Sequence, residues 1–319
     1  MKRFYLLLPL CTALFIVSGL HCACNAQQKT VALMWVGKAS VPNEIMLSFM
    51  TRIRELEPDL KVVLKRELSD FQTAEKLFRE FERSTNGIIF LRSNGAEFLA
   101  KADPSIPCFV GATNNPVELG VMKNMDAPEG NITGVTYDIP YAKRFQIIKT
   151  LFPNVTKVAL IWEKGHPGGI VEQKATSEEC RRLGILYYDV AGATVDELVE
   201  GIKKFVGKVD LFILATNKLA LDNTTKFASI SLTTKTPIFA NNDRPVNNGA
   251  VAALVPRNDV MGRMLAESVV DVVVKGVPVS KVPVKTDPDP EIVLNETTMK
   301  ALGISFPDAV MEKARIIKF

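Results

Sequence analysis

The chain has 319 residues, 47% hydrophobic and 23% charged, with 39 Lys and Arg against 35 Asp and Glu and a formal net charge of +4. Nothing in that balance suggests the basic patch that nucleic-acid binding demands. Two histidines and five cysteines, with no CxxC and no Cys/His cluster, argue against a structural zinc site.

The elements follow in chain order. Lys2 and Arg3, the apolar run Leu6 to Leu20 and the small-residue stretch "HCACNA" have the layout of a secretory signal, with cleavage expected after Ala26. A lipid-anchored alternative would use Cys22 or Cys24. However, His21 precedes Cys22 and no Leu lies three residues before Cys24, so soluble export is favoured. No later apolar run reaches the length of a membrane span.

"TVALMWV" (30–36) reads as a buried strand. The helix after it carries Ile45, Phe49, Ile53 and Leu56 on one face, with Asn43 able to cap it and Pro58 to stop it. A strand "LKVVL", a helix from Asp70 to Arg83, a strand "GIIFL", a short helix (95–101) and a strand "PCFVGA" complete a first block. "ITGVTY" (132–137) is a strand between a glycine turn and Pro140. Alternation restarts with the strand "KVALIW" (157–162), a helix over 170–183, a strand "GILYYDV" and a helix "TVDELVEGIKKFV". Thr194 and Glu197 form a capping box for that helix. A strand (209–215), a helix (219–233), the strands "TPIFA" and "GAVAAL", and a long helix ended by Gly276 come next. The stretch 277–294 is Pro-rich and extended, and one or two helices follow Asn295. Continuous apolar strands alternating with amphipathic helices imply parallel sheets covered on both faces. Cys108 and Cys180, in a strand and a helix, read as separate buried thiols.

"PCFVGATNNPVELG" and "PIFANNDRPVNNG" share Pro, Phe, an Asn pair, Pro-Val and Gly. That echo suits two similar α/β lobes better than one large sheet. Ligands of open α/β sheets sit outside the carboxyl ends of the strands. The residues found there are Trp35 and Ser40, then Ser93 and Asn94, then Thr113, Asn114 and Asn115, then Tyr137. In the second block they are Trp162, Glu163 and His166, then Thr216 and Asn217, then Asn241, Asn242 and Asp243. Asn and Thr also cap helices and make turns, which accounts for any one of them singly. As a set, neutral hydrogen-bonding groups with a few aromatics suit binding better than catalysis. His166 is the sole histidine after the leader, and no GxSxG, HExxH or P-loop sequence is present.

"IPCFVGATNNPVELGV", "GNITGVTYDIP", "QIIKTLFPNVTKVALIW", "AVAALVPRNDVMGRMLAESVVDVVVKGVPVSKVPV" and "IVLNETTMKALGISFP" together resemble the ABC-transporter substrate-binding proteins of the tryptophan/tyrosine-uptake type. The resemblance implies a type I periplasmic binding fold, in which two Rossmann-like lobes with parallel sheets are joined by crossing hinge strands and a small-molecule ligand sits in the cleft. It implies a membrane permease and an ATPase as partners, a periplasmic location, no cofactor, and action as a monomer. On it, residues 29–137 with about 256–280 form one lobe and 138–255 the other, and the lobe of 281–319 stays open. "GNITGVTYDIP" becomes the first passage between lobes, and the chain returns near Leu254–Pro256. The chain departs from the family pattern at Asn114-Asn115-Pro116, at residues 166–169 and at 256–259, all near the supposed pocket, which leaves the ligand open.

For an amino-acid ligand, Ser93, Asn94, Thr113 and helix-start N–H groups would meet the carboxylate. Asp243, then Glu163, would meet the ammonium, and Trp35, Tyr137 or Trp162 would stack on an aromatic side chain, with core packing the plain alternative for the tryptophans. A sensory binding protein and a cleft hydrolase using Asp243, Glu163 or His166 are the rival classes.

Overall fold

The computed structural model describes residues 28–318, so the stretch expected to be an export signal lies outside the described residues. The chain builds two sheets. The first has the order β2-β1-β3-β4-β5 and is parallel throughout, from β1 (Thr30–Val36), β2 (Lys61–Leu68), β3 (Gly87–Leu91), β4 (Cys108–Gly111) and β5 (Ile132–Gly134). Every residue of β3 is buried because the sheet is covered twice. Ile89 and Leu91 face a core with Ile45, Phe49 and Leu265, while Ile88 and Phe90 face one with Phe78 and Leu99.

The connecting helices are α1 (Ser40–Leu56), α2 (Phe71–Ser84) and α3 (Ser93–Ala102). Asp70 caps α2 by accepting from the Thr73 amide, as its position implies. Helix α1 starts three residues before the expected cap Asn43. Ala39 is its N-cap, and Asn43 Nδ2 instead donates to the Ala39 carbonyl from inside the first turn.

The second sheet has the order β12-β11-β10-β9-β8-β6-β7. Its strands are β6 (Lys157–Glu163), β7 (Leu186–Gly192), β8 (Leu211–Leu214), β9 (Ile238–Ala240), β10 (Ala252–Val255), β11 (Glu291–Asn295) and β12 (Arg315–Ile317). All neighbours are parallel except β10 and β11. Between them run α4 (Tyr141–Leu151), α5 (Pro167–Leu183), α6 (Val195–Phe205), α7 (Lys218–Asp222), α8 (Thr224–Thr234), α9 (Asp243–Asn247), α10 (Asn258–Val269), α11 (Glu296–Leu302) and α12 (Asp308–Met311). The expected helix over 219–233 is two helices, broken at Asn223. The capping box of α6 is half formed: Thr194 accepts from the Glu197 amide, but Glu197 reaches back to the Ala193 amide, one residue early.

Three segments pass between the sheets. The first is 135–140. The second is the turn from β10 into α10, which packs on α1 so closely that a Cβ on Gly262 would lie 2.5 Å from the Ile45 carbonyl oxygen. The third leaves Lys285, which bridges Val135 beside the first sheet, and enters β11 in the second. Thus β11 and β12, from the stretch whose lobe the sequence left open, belong to the second sheet. Cys108 and Cys180 are separate and buried. Among the described residues no helix is long and apolar enough to cross a membrane.

Candidate functional site

The exits of the first sheet are tightly turned. Gly37, Arg92 and Ala112 follow β1, β3 and β4, and all have positive φ (75°, 77° and 53°). For Arg92 and Ala112 this conformation costs about 1 kcal/mol or more each, strain that gathers at functional sites. Arg92 Nη1 donates to the Val36 carbonyl at 2.6 Å and ties two exits together. Ser93 therefore opens α3 at the rim, and its Oγ accepts from the Asn114 amide at 3.1 Å and lies 3.5 Å from Thr113 Oγ1. The Thr113 carbonyl accepts from the Tyr137 amide and from Thr136 Oγ1, which draws the first crossing segment onto the β4 exit. Ser40 and Asn114 are exposed, and Tyr137 is half-buried. Trp35 lies wholly in the core against α1, because its side chain falls on the covered face of β1.

In the second sheet, Trp162 Nε1 donates to Asp189 Oδ1 on the edge strand β7, at 2.9 Å. Glu163 accepts from the Leu219 amide, and His166 caps α5 by accepting from the Gly169 amide. Asn217 caps α7. Asp243, the sequence's first choice for an ammonium acceptor, is in an ion pair with Arg315 of β12 at 3.2 Å.

Between these exits runs a polar chain that sequence reasoning missed. Asn115 Nδ2 donates to Asp138 Oδ2 (3.0 Å), and Arg144 Nη2 donates to Asp138 Oδ1 (3.2 Å). Arg144 Nη1 stands 3.7 Å from Glu172 Oε1. Glu172 in turn accepts the amide (2.8 Å) and hydroxyl (3.1 Å) of Thr216 and the Asn241 side-chain amide (3.3 Å). It joins the exit of β4 to those of β8 and β9, through the first crossing segment. The signal that could have found it is charge on a buried helix stripe. Arg144 shares the inward face of α4 with Ile148 and Leu151, and Glu172 that of α5 with Thr176 and Cys180.

The cluster is short of positive charge. Glu118, Asp138 and Glu172 lie around the one guanidinium of Arg144, whose Cζ is 4.5 Å from the centre of the Tyr141 ring. Glu118 is an exposed residue, but burial of its carboxyl and then the charges of Asp138 and Glu172 push its pKa up to about 7, against the pull of Arg144. Burial also raises the pKa of Glu172, opposed by Arg144 and the bonds from Thr216 and Asn241.

Buried polar side-chain atoms without a hydrogen-bond partner gather at Arg144 and at neighbouring strand exits. Among the described residues they include Trp35 Nε1, Asn94 Oδ1, Tyr137 Oη, Asn217 Nδ2, Asn242 Oδ1, and Nε and Nη1 of Arg144. Each such atom costs about 1–3 kcal/mol, and Trp35 Nε1 and Arg52 Nε apart they sit at strand exits or in the polar chain. A hollow of about 590 Å³ between α4 and α5 is lined mainly by charged helix side chains and holds none of these atoms. No group of three or more His, Cys, Asp or Glu among the described residues is placed to hold a metal ion.

The family model described as ABC transporter substrate binding protein matches residues 58–318. A tyrosine-binding protein of Clostridioides difficile (strain R20291) is 24% identical over 247 residues, which is 77% of this chain and 71% of that protein. The ligand-free, open structure of a substrate binding protein with adhesive properties from Clostridium difficile matches with a TM-score of 0.82 at 22% identity, over 91% of this chain and 99% of that one. The structure of an ABC domain in complex with L-Trp from Streptococcus pneumoniae matches with a TM-score of 0.67 at 19% identity, over 91% and 100% of the two chains. The fold is that of the type I periplasmic binding proteins, with two largely parallel sheets.

Proposed function

This chain belongs to the family of ABC transporter substrate-binding proteins, which are solute carriers and not enzymes, and from that premise we propose that it captures an aromatic amino acid between its two sheets. It hands that solute to the permease and ATPase of an uptake transporter, working outside the cytoplasmic membrane as an exported monomer. The similar proteins named for tyrosine binding and solved with L-Trp support the solute class.

The observation that carries the reading is the excess of negative charge where the two sets of strand exits meet. Asp138 and Glu172 flank one guanidinium and Glu118 ionises near pH 7 beside them, an arrangement that attracts a further cation, and an α-ammonium group supplies it. The α-carboxylate falls to Ser93 Oγ and the first N–H groups of α3, at the exit of β3. Tyr137 offers a half-buried ring for the side chain. A solute that touches both lobes favours the closed arrangement by the difference in its affinity for the two.

The test is a thermal-shift and calorimetric comparison of L-tyrosine, L-tryptophan and the deaminated analogue 3-(4-hydroxyphenyl)propionate. A true ligand at about 100 times its Kd adds about 2.7 kcal/mol of stability. The deaminated analogue is expected to bind about 100-fold more weakly, the worth of a hydrogen bond to a charged group. No stabilisation by either amino acid, or equal binding of the deaminated analogue, overturns the reading.

A further inference from the structure

Glu172 is only 5% exposed, and its two oxygens serve two different loops. Oε2 holds Thr216 at the exit of β8, and Oε1 holds Asn241 at the exit of β9. The residues next along, Asn217 and Asn242, each carry a buried polar atom with no hydrogen-bond partner. Glu172 bonds neither of them, but it holds the Thr216 backbone amide beside Asn217 and the Asn241 side chain beside Asn242. On its other side stands Arg144, 8% exposed and anchored to Asp138 in the first crossing segment. Buried ion pairs are seldom kept for stability alone, since apolar residues of similar volume do as well or better.

The pair is also incomplete. Nε and Nη1 of Arg144 are buried without hydrogen-bond partners, and the 3.7 Å from Nη1 to Glu172 Oε1 lies just beyond a good bond. The open link falls between α4 and α5, at the joint between crossing segment and second sheet.

We infer that Arg144 and Glu172 are positioning residues, which register the β8 and β9 exits to the first crossing segment. The registering itself does not rest on the proposed binding between the sheets, and the expected loss of L-tyrosine affinity below does.

The test reads amide exchange at Thr216, whose N–H donates to Glu172. Asp138 makes no contact with Thr216. If the relay is real, Asp138→Asn speeds Thr216 exchange by about tenfold in the protein without added amino acid, while the amide of Ile89 in β3 stays protected. Unchanged Thr216 exchange overturns the relay. Arg144→Lys keeps the charge but gives up the planar fork that spans two carboxylates, so it is expected to loosen Thr216 equally and to weaken L-tyrosine binding about tenfold. Full retention of both properties in Arg144→Lys refutes the positioning role.

Glu172→Gln leaves Arg144 uncompensated and endangers the fold. Asn241→Ser therefore serves as the milder probe from the far end, with faster exchange expected at residues 241–243 and none at Ser93. If no amino acid binds but Asp138→Asn still loosens Thr216, the relay stands and the proposed ligand falls.

Discussion

At the scale of single residues, Glu118 makes the site's chemistry measurable. Its carboxyl, with an ordinary value of 4.5, is pushed up to about 7 by burial and by Asp138 and Glu172. Below about pH 7 it is largely protonated, and above it ionised. An arriving ammonium favours the ionised form, so binding of L-tyrosine releases a proton. Affinity is expected to rise as pH goes from about 6 to about 8, with a slope approaching tenfold per pH unit at its steepest on the acid side. Glu118→Gln should flatten that profile in calorimetry across the same range. In the absence of ligand the sign runs the other way for stability. The folded state holds this proton more tightly than the unfolded chain, so its contribution is present below pH 4.5 and is lost as pH rises through about 7. Single residues also show what position along the string leaves undetermined. Trp35 and Asp243 both sit beside strand ends, but whether a side chain faces core, solvent or an Arg315 from seventy residues on is set by packing and not by position in the string.

At the scale of elements, strand β5 shows how one residue type permits a crossing. Gly134 has φ 142°, and a Cβ there would sit 2.1 Å from the Val110 carbonyl oxygen. The crossing segment can leave β5 alongside β4 only because nothing projects at that point. Gly134→Ala is expected to cost about 3 kcal/mol or more, from positive φ and overpacking together, read as a lower urea midpoint at unchanged slope. β3 falls where its apolar run says it should, because a strand buried on both faces must be apolar throughout. Helix α4 and strand β12 were not anticipated. β12 is three residues long and its hydrogen bonds come entirely from β11, a partner whose presence no local pattern announces.

At the scale of the whole molecule, the three crossings act together because they are bonded to one another. Asp287, on the third, accepts from the backbone amide and the guanidinium of Arg257, on the second. The Thr136 amide, on the first, donates to the carbonyl of Lys285, on the third. The Asp287 side chain is fully buried. Burial alone would raise its pKa, but the bonds from Arg257 and the Asp289 amide outweigh that and hold it below 3.8. A lowered folded-state pKa adds stability above the unfolded value, and that stability is lost as pH falls through the folded one. Asp287→Asn is therefore expected to cost about 2 kcal/mol near neutral pH, the worth of the charge-assisted bonds that the partly exposed Arg257 makes to it. It should also weaken the acid-denaturation limb below about pH 4 that the wild type shows in pH-jump urea titrations.

By itself the sequence determined the class of the fold, the order of nearly all the strands and helices, and the surface on which a ligand would be sought. These follow from local rules: apolar runs become covered strands, amphipathic stretches become covering helices, and parallel strands present their exits on one side. Only the tertiary structure decided which exit residues meet. It joined Asn115, Asp138, Arg144, Glu172, Thr216 and Asn241 from six separate stretches into one polar chain. Electrostatic and hydrogen-bond partners are chosen by distance in space, and residues as far as 69 positions apart in this polar chain become neighbours only through the fold.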